Sequence, residues 1–179
     1  MRKWFPLIII GSITLLIDQV AKWWVINNML LGETRLIAPF LQPYLQITRA
    51  TNSGIAFGIG EGGSPAFLVL AVIIVGLLLY VYTNTETQFR VQLIALSFVI
   101  GGALGNIIDR IRFNHVVDFV HITIPDFISN VSNFADHFII IGVVILLIDT
   151  FRQPQSEPDN TPADAENNNE MPSISTEIS

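Results

Sequence analysis

The sequence predicts a mainly α-helical, polytopic membrane protein: four transmembrane helices, a small extracytoplasmic sheet-bearing cap, and a disordered acidic C-terminal tail. Three observations predict it. Of 179 residues, 51% are hydrophobic and only 13% charged, whereas soluble domains carry about 25% charged residues; mean hydropathy is +0.55. Four apolar runs, at residues 4–26, 65–82, 91–108 and 134–151, each have about 18 residues or more, enough to cross a ~30 Å hydrocarbon core as helix. The charge is also lopsided. Residues 153–179 hold Glu157, Asp159, Asp164, Glu166, Glu170 and Glu177 without one Lys or Arg, so the net charge of −6 belongs to that tail. The rest balances nine acids against nine bases. Rich in Asn, Pro, Ser, Glu and Thr, the tail cannot bury enough apolar surface to offset its ordering entropy. The expected division is therefore one membrane domain over 1–152 and a disordered cytoplasmic tail over 153–179. The absence of cysteine excludes disulfides, thiolate metal sites and a thiol nucleophile.

The first run could be a signal peptide, with Arg2 and Lys3 ahead of it. It passes 20 residues, contains Asp18 and Lys22, and ends in bulky Trp23 and Trp24 rather than a small-residue cleavage site. It reads as a retained span. Four spans place both termini and the 83–90 turn on one side, with Arg2, Lys3, Arg90 and Arg152. Arg35, Arg49, Arg110 and Arg112 lie on the other, with Lys22 near its span end. Four against five does not orient the bundle by count. Arg2 and Lys3 flank the first helix, which usually dominates, so the termini are expected in the cytoplasm. Residues 27–64 and 109–133 are then the extracytoplasmic segments. Short β-rich runs from Thr34 and Tyr44, broken by Pro39, Pro43 and glycines, predict a small sheet, and Val116 to Ile124 partly alternates.

Ionisable side chains in or at the ends of spans are functional candidates by default. Asp18 and Lys22 are four apart on one helical face and can pair, either to fix packing or to position a site. Asp149, at the far end of span four, reads as ordinary. Gly101, Gly102, Ala103 and Gly105 permit close helix approach. Asn106 and Asp109 then emerge on one face beside Arg110, whose alternative is to bind phosphate headgroups while Asn106 cements the bundle. Asp118 is a lone carboxylate between Val117 and Phe119. Asp136 follows Asn133 by three, at an expected helix N-terminus where the macrodipole favours its charge. Two carboxylates in unlike surroundings can split into base and acid. An ionised Asp then takes a proton from water, which attacks a carbonyl, while the protonated partner supplies the departing amine. The residues alone leave Asp109, Asp118 and Asp136 as near-equal candidates. His115, His121 and His137 lack metal-ligand spacing, and 58–63 lacks the Lys-Ser/Thr of a phosphate loop. Charges at mid-membrane and internal repeats would instead indicate a proton-coupled carrier; a non-catalytic scaffold would leave the motif set unexplained.

These pieces, over roughly residues 18–142, resemble signal peptidase II, the bacterial lipoprotein signal peptidase. Asp18-Gln19-x-x-Lys22 is similar to the first-span motif of that family, and Asn52-x-Gly54-x-Ala56-Phe57 to its Asn-x-Gly-x-Ala-Phe loop. The stretch from Gly101 through Asn106, Asp109 and Arg110 to Val116-Val117-Asp118-Phe119 is the most specific, and Asn133-Phe134-Ala135-Asp136 completes the set. The resemblance implies four helices with an extracytoplasmic β-cradle and a short amphipathic segment. It implies a catalytic dyad of Asp118 and Asp136, with Asn52, Asn106, Asp109, Arg110 and Asn133 around dyad and substrate, and Asp18 and Lys22 holding the site together. The implied substrate is a prolipoprotein cut just before a diacylglyceryl-modified cysteine, at the extracytoplasmic face of the bacterial cytoplasmic (inner) membrane. No metal or organic cofactor and no nucleic-acid partner are expected, and a monomer is favoured. Asn114 stands where the family usually has Gly, and Asn tolerates left-handed backbone better than most residues. Ser132 and His137 also depart from the pattern, and could alter dyad pKa or loop mobility.

Overall fold

The structure, a computed structural model, describes residues 3–54 and 64–152. Its order is α1 (Phe5–Asn28), β1 (Thr34–Leu36), a 3₁₀ turn (Pro39–Leu41), β2 (Leu45–Asn52), α2 (Ser64–Asn84), α3 (Arg90–Phe113), β3 (Val116–Ile124), β4 (Ile128–Ser132) and α4 (Phe134–Arg152). Among the described residues, four helices are long and apolar enough to cross a membrane. They are apolar nearly all round, as lipid requires: Ile13, Leu16 and Val20 on α1, Ile73 and Leu77 on α2, and Val144 and Leu147 on α4 all face outward. The acidic tail, Arg2 and the glycine-rich stretch from Ile55 lie outside the described residues. The short amphipathic segment implied by the resemblance has no described counterpart longer than the 3₁₀ turn.

Helix α3 is the axis of the bundle, and α1, α2 and α4 all pack against it. Val75 and Tyr82 of α2 meet Leu93, Leu96, Ile100 and Ile107 of α3 in one buried cluster. On its other faces α3 works by smallness. A Cβ on Gly102 would lie 2.5 Å from the Ala135 carbonyl oxygen, and one on Gly105 would lie 2.6 Å from Asp18 Oδ2. These two positions bring α3 into backbone contact with α4 and into reach of the α1 carboxylate.

Span three runs five residues beyond the expected boundary at 108. Asp109, Arg110 and Arg112 end the hydropathy signal, yet none of them breaks a helix, and α3 continues to Phe113. Asp109 and Arg110 therefore stand on the last turn of a transmembrane helix rather than on a loop. The stop comes at Asn114, in left-handed backbone with φ 61°, whose N–H closes onto the Arg110 carbonyl.

The segments between α1 and α2 and between α3 and α4 form a four-stranded antiparallel sheet in the order β1-β2-β3-β4. It sits on the bundle through Val25 and Met29 at the end of α1, which bury Phe119 of β3 between them. Arg49 of β2 reinforces the seat: its Nη1 donates to the carbonyl oxygens of Ile26 and Met29, two of the free carbonyls that end α1. A bulge in β2 between Ile47 and Ala50 shifts the register, so that Ala50 faces Asp118 and Asn52 faces Val116. Asn52 and Asp118 thus become diagonal neighbours on one face of the sheet.

Candidate active site

The polar residues singled out along the sequence meet where the ends of α1, α3 and α4 come under the sheet. The lowest layer is a buried ionic knot. Lys22 Nζ lies 2.8 Å from Asp18 Oδ2 and 2.8 Å from Asp109 Oδ2, and it donates to Asn106 Oδ1 at 3.1 Å. An ammonium has three donors, and all three are used. The expected Asp18–Lys22 pair is present, but it is half of a larger cluster that joins α1 to α3.

The two carboxylates carry the knot outward. Asp18 Oδ1 accepts the Ala135 N–H at 2.9 Å, so a side chain of α1 caps the first turn of α4. Asp109 Oδ2 accepts the Val117 N–H at 3.1 Å, which pins the start of β3 to the end of α3. Gln19, quoted in the first-span motif but given no role from the sequence, donates through Nε2 to Asp109 Oδ1 at 3.0 Å and also reaches Asp18 and the Gly105 carbonyl. Its signal was simply an amide inside a lipid-crossing run, which needs internal partners as much as a charge does.

Three asparagines translate this framework into the placement of Asp118 and Asp136, and each has its amide oriented by a partner that can only donate. Lys22 occupies Asn106 Oδ1, so Nδ2 turns to Asp136 Oδ1 at 2.7 Å. The Asp136 backbone N–H occupies Asn133 Oδ1 at 3.0 Å, so Nδ2 turns to Asp118 Oδ1 at 2.6 Å. The Gly54 N–H occupies Asn52 Oδ1 at 2.9 Å, and the Asn52 amide, a diagonal neighbour across the sheet, favours the ionised form of Asp118. Asn133 is at once the N-cap of α4, through the Asp136 backbone N–H, and a donor to the Asp118 carboxylate. Asp118 is therefore not the lone carboxylate its apolar neighbours suggested.

Asp118 is 3% exposed, and burial pushes its carboxyl up to about 6 against the pull of the Asn133 and Asn52 amides; the Asp136 charge adds to the rise and Lys22 opposes it. Asp136, half-buried in the first turn of α4, sits where the helix dipole favours an anion. Arg110 is drawn inward by the charges of Asp136, Asp109 and Asp118, and its Nη1 bonds the Asn106 carbonyl. Its Nε–H is buried with no hydrogen-bond partner among the described residues.

His115 and His121 stand apart from this group, and His137 meets it at the Asn133 backbone. His121 is held by the hydroxyls of Thr48, Ser129 and Thr123 across the sheet, His137 Nδ1 bonds the Asn133 carbonyl, and His115 stacks on Phe113. Among the described residues no cluster of three potential metal ligands forms. Asp149 accepts from Gln92 at the opposite end of the bundle.

Comparison with known proteins gives consistent matches. A family model described as signal peptidase (SPase) II matches residues 10–152. The chain is 38% identical over 154 residues to a lipoprotein signal peptidase of Bartonella tribocorum, covering 84% of this chain and 90% of that protein. It is 34% identical over 133 residues to one of Streptococcus pyogenes, covering 74% and 84%. A solved structure described as a bacterial membrane enzyme obtained by the in meso method superposes with a TM-score of 0.74 at 31% identity, over 83% of this chain and 94% of that one.

Proposed function

The chain belongs to the signal peptidase II family of aspartic peptidases, and from that premise we propose that Asp118 and Asp136 form its catalytic dyad and cut prolipoproteins before a diacylglyceryl-modified cysteine. The observation that carries this reading is the amide relay: Asn133 bonds both aspartates, and Asn106 bonds Asp136 from below. Six charged groups gather here, four Asp against Lys22 and Arg110. The excess of negative charge in a low-dielectric site favours one retained proton, and the raised Asp118 is its natural holder.

In the proposed cycle Asp136 takes a proton from water, whose oxygen adds to the scissile carbonyl carbon. Asp118 protonates the carbonyl oxygen, giving a gem-diol. Asp136 then returns its proton to the departing amine, the C–N bond breaks, and Asp118 recovers its proton from the diol. The dyad ends as it began, with one proton, and no other cofactor is required. The Arg110 guanidinium, anchored through Nη1 on the Asn106 carbonyl, supplies positive charge that steadies negative charge on the substrate near that centre. The pair lies at one end of the bundle, opposite Lys3, Arg90 and Arg152. With those cations in the cytoplasm, the site opens at the extracytoplasmic face of the bacterial cytoplasmic membrane. There the lipid chains and signal helix of a substrate stay in the bilayer while the scissile bond reaches water.

Paired cleavage assays with lipidated and unlipidated precursor test the substrate. The lipidated form is cut and the other is not; equal rates for the two would sink the assignment. The pH profile tests the proton inventory. Because Asp118 must hold a proton and titrates near 6, kcat/KM declines as pH rises through about that value. Asn133→Ser keeps an N-capping oxygen but loses the amide donor that favours ionised Asp118, so the limb moves to higher pH. A limb that stays put or moves down contradicts the assignment of the proton to Asp118.

A further inference from the structure

At the end of the bundle away from the aspartates, the first turn of α1 and the first turn of α3 enclose a cavity of about 510 Å³. Its walls are of two kinds. Lys3 and Arg90 supply cations, and Phe5, Pro6, Leu93 and Ile94 supply apolar surface. Among the described residues no acidic side chain lines it. The start of α3 adds to the same field: no side chain caps it, and no acidic residue occupies its first turn. Phe5 and Ile94 are exposed at 65% and 36%, so the apolar wall opens sideways toward lipid rather than into the protein. Aromatic groups mark the depth. Trp4, half-exposed, is the interfacial ring; it packs tilted against the buried Tyr82 with centroids 5.5 Å apart, and the Tyr82 hydroxyl donates to the Lys3 carbonyl at 2.6 Å.

We propose that this cavity is a binding site for an anionic phospholipid, its phosphate between Lys3 and Arg90 and an acyl chain against Phe5, Leu93 and Ile94. The charge argument selects the occupant. A zwitterionic headgroup would bring its own cation beside two others, whereas a phosphatidylglycerol-type headgroup brings only the anion. Lys3 is already oriented, since its Nζ bonds the Thr83 carbonyl at the end of α2. A lipid there joins α1, α2 and α3 at one point without contact with the cleavage site, and the proposal stands whatever the aspartates do.

The test uses the purified full chain in non-ionic detergent, with bound lipid counted by native mass spectrometry. Dioleoyl-phosphatidylglycerol is titrated against dioleoyl-phosphatidylcholine. Each cation near a lipid phosphate contributes about fivefold in affinity, so Lys3→Gln and Arg90→Gln each weaken phosphatidylglycerol retention by about that factor and the pair by about 25-fold. Arg112→Gln, an exposed cation at the other end, leaves retention unchanged. Arg90 is exposed, so Arg90→Gln alone keeps the test valid if the double variant folds poorly. Equal retention of the two lipids by the wild type, full retention by Arg90→Gln, or displacement of the lipid by an equal concentration of inorganic phosphate each overturns the proposal.

Discussion

Asp118→Asn and Asp136→Asn each reduce cleavage of a lipidated precursor by about 10³-fold or more, while the protein remains folded in detergent. General acid–base steps contribute roughly 10²–10⁴-fold each, and here one proton serves both carboxylates, so losing either member disables the whole cycle. For the same reason the double variant is scarcely worse than either single one. Stability separates this outcome from simple misfolding. Asp118 has its folded carboxyl raised to about 6 from 3.8. Its contribution to stability is therefore full below about pH 4 and lost as pH rises to about 6. Asparagine resembles the protonated side chain and never ionises. Above pH 6, Asp118→Asn thus unfolds at or above the wild-type temperature while being inactive. A variant that cleaves at the wild-type rate would remove Asp118 from the dyad, and one that is inactive only because its unfolding temperature collapses would reduce it to a structural residue.

Lys22→Met has the largest expected effect on stability. The lysine is 2% exposed, Asp18 and Asp109 are fully buried, and removing the shared cation leaves two carboxylates facing each other without compensation. Breaking a buried pair from one side costs about 3–5 kcal/mol, and here two pairs are broken at once. The Arg35–Glu33 bridge, also short at 2.6 Å, is largely exposed. Arg35→Met therefore costs far less than Lys22→Met, because solvent screens the exposed pair. Thermal unfolding of the two variants in the same detergent gives the comparison. Adding Asp109→Asn to Lys22→Met recovers part of the loss by removing one stranded charge. A Lys22→Met midpoint equal to wild type would mean that water already reaches and screens the knot. Activity falls along with stability, because Asn106 loses the donor that turns its amide toward Asp136.

The spans were legible because lipid makes hydropathy nearly sufficient: all four expected runs are helices, and most boundaries fall within a few residues. The exception at Asp109 is instructive, since hydropathy records where lipid ends and not where the helix does. Asn114 showed its left-handed backbone in advance. Strand β4 gave no signal, because Ser129, Asn130 and Ser132 have neither alternation nor strand propensity, and Ile128–Ser132 is drawn into the sheet only by pairing with β3. At the site, spacing foresaw the Asp18–Lys22 pair and the shared face of Asn106 and Asp109. It did not rank the three aspartates; family resemblance did that. The inward turn of Arg110, the bridging by Gln19 and the orientation of three amides were invisible, because each depends on donors from elements distant in the chain.

The placement of Lys22 four residues after Asp18 also bears on how the protein is made. Helix α1 precedes α3 in the chain and must enter lipid with both charges in place before Asn106 and Asp109 have been synthesised. Its own i,i+4 partner lets each ion neutralise the other in that interval. Asn106 and Asp109 arrive later to complete the coordination of Lys22, and the free oxygen of Asp18 then receives the leading end of α4. The knot is thus a sequence of handovers during biogenesis, and α1 is the template on which α4 is received.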